Sequence, residues 1–280
     1  MRHLLLSSLL LSAACATTEP RPVAAPAPPT PAVEVPPAAA AAVPVVAAKP
    51  GHVTGTDPAT LAACRRGAPA AAISAEEAGH HGHHAPGGHA MHRFDDAAKW
   101  TKVFDDPARD AWQRPDVVVA ALTLKPTDVV ADIGAGTGYF SARFAKATPQ
   151  GRVLAEDVEP TLVAFMKERA AKEGLANFLP VLGGFDDAKL PEPADVIFVC
   201  DTYHHIEAPV PFFEKVAKSA KSGARLAIVD FTPGELPVGP PEPMRTPPAR
   251  LVEELGKAGW KLASFDCASL QHQYLAIFTR

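Results

Sequence analysis

The stretch that most constrains this chain is Asp128-Val129-Val130-Ala131-Asp132-Ile133-Gly134-Ala135-Gly136-Thr137-Gly138-Tyr139-Phe140. Its apolar run, broken only by Asp132, reads as a buried strand, and glycines at every second position after it demand a tight turn. Phe140, Phe144 and Ala147 then recur at helical spacing. Strand, glycine turn and helix in that order present free backbone N–H groups to a ligand at the helix start. Glycine belongs there because the ligand must approach the backbone more closely than a Cβ allows.

Spacing narrows the ligand. A dinucleotide fingerprint places its last glycine three residues after the second, where this chain has Tyr139, so a nicotinamide-dependent oxidoreductase fails on glycine spacing. Asp132, an apolar residue and then Gly-x-Gly-x-Gly instead resemble the first motif of class I S-adenosylmethionine-dependent methyltransferases, and the likeness spans about residues 114–280. A second short strand, 151–157, carries Asp157 at 19 residues past Gly138. A carboxylate there suits a vicinal diol, because it accepts both O–H groups at once and repels a phosphate. The resemblance implies S-adenosylmethionine as cofactor, with Asp132, Gly134, Ala135, Gly136, Gly138, Asp157 and Val158 around it. It further implies that an acidic loop after the third strand meets the adenine amino group. Asp186 is the first choice and Asp187 the reserve, while the plain alternative for either is a turn former.

Further strands are expected at 177–182, 194–200, 224–231, 261–265 and 273–279, and helices over 115–124, 161–173, 209–220 and around Leu251, Leu255 and Ala258. Together with the resemblance these give an α/β fold: a Rossmann-like, doubly wound, seven-stranded mixed sheet with helices on both faces and one antiparallel strand. Asp201-Thr202-Tyr203-His204-His205-Ile206 leaves the fourth strand at its C-terminal end, where open α/β sheets bind ligands. By resemblance this loop faces the transferred methyl, which puts Asp201 near the aminoacyl part or the sulfonium and makes His204 or His205 the acceptor's base. The alternative is that the pair packs or caps the next helix. Seven prolines in 232–248 mark a stiff loop, read as part of the acceptor pocket with Met244 and Arg245 as contacts.

The chain's 30 prolines cannot be spread through such a core. Residues 16–60 hold 11 prolines and 13 alanines and read as an extended, disordered tether. Ahead of it, 1–15 has a basic start, a short leucine-rich run and small residues before Cys15, which resembles a lipoprotein signal, with Ser12 where leucine is usual and plain secretory cleavage as the alternative. The expected location is therefore outside the cytosol, membrane-anchored through Cys15 or periplasmic. Six histidines between His80 and His92, in a low-complexity segment set at 61–93, suit adventitious metal binding or a plain polar linker. Phe94, Trp100, Phe104 and Trp112 return apolar bulk, so the domain is set at 94–280, with its first helical segment either over the cofactor pocket or capping the sheet. Four cysteines leave three if Cys15 is acylated, and that odd number argues against disulfides. A net charge of −4 gives no electrostatic footprint for nucleic acid. A small-molecule acceptor is expected; the other reading is a surface-tethered, catalytically silent module that binds the cofactor or a metal.

Overall fold

The computed structural model describes residues 55–64 and 96–280. The signal, the linker up to residue 54 and most of the histidine-rich segment lie outside the described residues. Within them the order is α1 (Pro58–Ala63), α2 (Ala97–Phe104), α3 (Arg109–Gln113), α4 (Pro115–Ala121), β1 (Val129–Ile133), α5 (Tyr139–Ala147), β2 (Arg152–Asp157), α6 (Pro160–Lys172), β3 (Phe178–Leu182) and β4 (Ala194–Cys200). There follow α7 (Pro209–Lys218), β5 (Ala220–Phe231), α8 (Pro248–Lys257), β6 (Lys261–Asp266) and β7 (Gln273–Thr279). Proline opens α4, α6, α7 and α8, where its fixed φ suits the first turn and its missing N–H costs nothing.

The sheet order is β3-β2-β1-β4-β5-β7-β6. The first five strands run parallel and β7 is antiparallel to both of its neighbours. From β1 the chain steps outward to β3 and then returns to the other side of β1 as β4, so the order reverses between β1 and β4. In open α/β sheets such a reversal marks the place, beyond the C-terminal ends of the strands, where ligands bind. Both faces are covered, as the near-continuous apolar strands require. Val130, Val153 and Ala155 pack on one face with Phe144 of α5 and Met166 of α6, whereas Ala131 and Leu154 pack on the other with Phe213 of α7 and Leu255 of α8.

Three expectations change. β5 begins at Ala220, four residues before its apolar stretch, because Ala194 of β4 gives Ala220 a partner and Lys221 reaches Asp195 at 2.6 Å; the backbone finds ladder partners where composition signals a helix end. The cysteine count also misleads, since Cys64 and Cys267 form a disulfide with Cα atoms 5.8 Å apart. Residues 55–64, read as linker and low-complexity chain, are part of the fold. Asp57 caps α1 by accepting the Thr60 N–H at 3.0 Å, Leu61 and Cys64 are buried, and Gly55 donates to the Phe265 carbonyl. Cys200, the remaining described cysteine, is a buried free thiol.

Candidate functional site

The glycine turn follows β1 with Gly134, Gly136 and Gly138 at φ of 70°, 60° and 80°. At Gly134 no other residue fits, since a Cβ there stands 2.4 Å from Thr202 of the loop after β4. Two consecutive acids at the end of β2 hold the turn from opposite faces of the sheet, as period-two alternation dictates. Asp157 accepts the Gly136 N–H at 2.8 Å and the Glu159 N–H at 2.9 Å. Glu156 accepts the Gly134 N–H at 3.2 Å, while its own carbonyl accepts from Ala135 at 2.8 Å. On β1, Asp132 accepts the Ser141 hydroxyl at 2.5 Å. Burial raises all three carboxyls: Asp132 to about 7, with Ser141 holding it back; Asp157 to about 6; Glu156 well above the carboxylate range, with the charge of Asp157 adding to the effect. Val158, next after Asp157, is half-buried.

A second polar cluster closes the ends of β4, β5 and β7. Asp201 sits at φ 54°, a region costly for most L-residues, and pairs with Arg109 at 3.0 Å while accepting from Gln273. Burial raises Asp201 to about 6 against the pull of Arg109. Gln113 donates to Gln273 at 2.6 Å and to the Cys200 sulfur at 3.2 Å. His204 Nδ1 lies 3.0 and 3.1 Å from the two oxygens of Asp230, with side chains 3% and 0% exposed. Burial pulls the imidazole down, yet the Asp230 carboxylate more than offsets it and leaves the pKa above the ordinary value. His205 is exposed and its ring stands 4.2 Å from that of His204.

α2 and α3 roof the turn. The Phe104 ring lies 3.3 Å from where a Cβ on Gly136 would be, and Thr137 donates to Asp105 at 3.1 Å. Arg109 stacks 4.4 Å over the Tyr139 ring. So the first helical segment covers the glycine corner. Asp132, the glycines, Ala135, Asp157, Val158, Asp201 and the histidines thus gather at one edge of the sheet. Asp186 points outward, 85% exposed and 2.8 Å from Lys215, and Asp187 accepts the Lys189 N–H at 2.9 Å within a local turn. Arg245 turns inward: its guanidinium donates to the carbonyls of Thr232, Gly234 and Pro240, so it stiffens the proline loop. Met244 stays 36% exposed. Glu156, Arg109, Asp230 and Gln273 escaped the sequence reading. The first and third were visible as acids closing apolar strands, whereas nothing local marks the other two.

The residues present fit a cationic adenosyl ligand: carboxylates on both sides of the glycine turn, a buried carboxyl oxygen of Glu156 without a hydrogen-bond partner, and Arg109 as the guanidinium beside Asp201. A family model described as a methyltransferase domain matches residues 124–274. The chain is 33% identical over 135 residues to a protein-L-isoaspartate O-methyltransferase of Aeropyrum pernix, covering 46% of this chain and 46% of that one. It is 32% identical over 130 residues to a tRNA U34 carboxymethyltransferase of Desulfotalea psychrophila, covering 45% and 39%. The match thus spans less than half of each curated relative. A solved SAM-dependent methyltransferase from Aquifex aeolicus superposes with a TM-score of 0.61 at 28% identity, over 66% of this chain and 98% of that one. The magnesium protoporphyrin IX methyltransferase of Synechocystis shares the fold, with a TM-score of 0.53 at 19% identity over 67% of this chain and 95% of that one.

Proposed function

From the premise that this chain belongs to the methyltransferase domain family, we propose that it methylates a small molecule at the C-terminal edge of β1, β2 and β4. S-adenosylmethionine is the cofactor, and when bound it supplies a methyl group already activated on a sulfonium. The chain's own part is orientation and proton handling. Gly134, Ala135, Gly136 and Gly138 shape the turn at that edge, packed under Thr202, Phe104 and Phe178, Asp157 keeps lone pairs for a diol beyond its two N–H bonds, and Arg109 and Asp201 offer one charge of each sign to an aminoacyl zwitterion. The Asp230 contact makes Nδ1 of neutral His204 the protonated nitrogen, which leaves Nε2 to take a proton from the acceptor. The observation that carries this reading is the glycine turn clasped by the acids ending β2, at the same edge as the His204–Asp230 pair.

Calorimetry of the purified protein tests it: S-adenosylmethionine binds and NAD does not, and Asp157→Ala weakens binding by about tenfold or more, as the loss of a charge-assisted hydrogen bond predicts. No heat with S-adenosylmethionine refutes the reading. Export to an oxidising compartment, anchored at Cys15 or periplasmic, is supported by the Cys64–Cys267 bridge. That same compartment lies away from where the cofactor is made, which favours, as a second reading, a module that binds without turnover. S-adenosylhomocysteine formation in the presence of candidate acceptors separates the two.

A further inference from the structure

Glu156 is an anomaly in the clasp. It is 2% exposed, and its Oε1 is the one buried side-chain oxygen or nitrogen among the described residues with no hydrogen-bond partner. Leaving such a group unsatisfied is costly, so a position that keeps it needs a reason. Its surroundings make room for it specifically. Oε2 holds the Gly134 N–H at 3.2 Å, and Oε1 lies in the space that only a glycine leaves at position 183, 1.5 Å from where a Cβ would stand. Gly134 and Gly183 are the first residues beyond the ends of β1 and β3, so this oxygen sits at the C-terminal rim of three adjacent strands, between β2 and β3 and next to the glycine turn of β1. Asp132 of β1, Asp157 of β2 and Asp187 of the following loop add negative charge around it, and the cation in that corner is Lys189, whose ammonium lies beside Gly184.

Resting on the methyltransferase reading, we propose that Glu156 is the counter-ion of the cofactor's cationic centre, so that it discriminates the sulfonium substrate from the neutral sulfide product. In the ligand-free protein, burial among other acids raises the proton affinity of Glu156 and so favours its neutral form. A cation brought to that rim lets it ionise, and the proton leaves to solvent. The sulfide product brings no such charge, so it leaves the carboxyl protonated and binds less tightly, which favours product departure.

Calorimetric titration of the full chain with S-adenosylmethionine and with S-adenosylhomocysteine, each at pH 7 in phosphate and in Tris, counts the protons released. The wild type releases about one proton more with the sulfonium than with the sulfide. Glu156→Gln, of the same shape, abolishes that difference and lowers the preference for the sulfonium by about tenfold. Should the variant fail to fold, the wild type alone decides: the ratio of the sulfide's to the sulfonium's dissociation constant rises with pH between 6 and 8. Equal proton release with both ligands, or a flat ratio, overturns the counter-ion role while leaving the methyltransferase reading intact. Absence of binding by both ligands overturns that reading and this proposal with it.

Discussion

His204 and His205 are neighbours of one chemistry that the loop after β4 treats in opposite ways. His204 is packed away with both Asp230 oxygens within 3.1 Å of Nδ1, whereas His205 stays exposed. Burial alone makes a histidine a weaker base, so the Asp230 charge decides the sign of the shift. Removing that charge while keeping the shape reverses it. In Asp230→Asn the His204 pKa, followed by NMR titration of the imidazole, falls below that of the wild type by about one unit or more. An unchanged His204 pKa contradicts the assignment of Asp230 as its positioning partner. The same logic of fit governs Gly134, where Thr202 occupies the space of any side chain and the turn is locked to the loop that carries the histidines.

Among the elements, α1 is the one whose place depends most on covalent chemistry. Six residues cannot hold themselves as a helix in water. α1 is held by its Asp57 cap, by Leu61 in the core and by the bridge from Cys64 to Cys267, 203 residues apart in sequence. A bridge closing so long a loop is worth about 2–5 kcal/mol, chiefly by restricting the unfolded chain. Cys64→Ser therefore lowers the thermal midpoint by several degrees, and a reductant lowers the wild type to the same value while leaving the variant unmoved. A reductant effect that persists in Cys64→Ser shows that another bond is responsible. α2 and α3, by contrast, are held by polar contacts from Asp105, Arg109 and Asp110 onto α5, α6, the glycine turn and the loop after β4, together with the buried Trp100 and the ring of Trp112 against Phe231.

At the scale of the whole molecule, one edge of the sheet carries a concentration of carboxyls whose proton affinity is raised on folding: Asp132 to about 7, Asp157 and Asp201 to about 6, and Glu156 well above its usual range. His204 is raised as well. Each binds its proton more tightly folded than unfolded, so the stability it contributes is present at low pH and is lost as pH climbs through the folded value. The acids with lowered pKa, such as Asp195 and Glu173, act in the opposite direction below about pH 4. The ligand-free protein is thus expected to melt at progressively lower temperature from pH 5 to pH 8 in a calorimetric scan, and a midpoint that climbs across that interval refutes the assignment of these carboxyls as buried and raised. Spacing and composition alone made the seven-stranded mixed sheet legible, and with it most of the edge where the glycine turn, Asp157 and the histidines meet, because buried strands and turns write their requirements locally; the strand order came with the fold. Asp186 shows the limit of that code, since an acid in a loop reads alike whether it faces a cleft or, as here, reaches Lys215 across solvent. Folding in three dimensions was needed to show which histidine meets Asp230, that Glu156 shares the clasp with Asp157, that Arg109 crosses 92 residues to Asp201, and that Cys64 belongs to the domain. Each is a contact between segments distant in the chain, and a side chain carries no local mark of the partner that folding will bring to it.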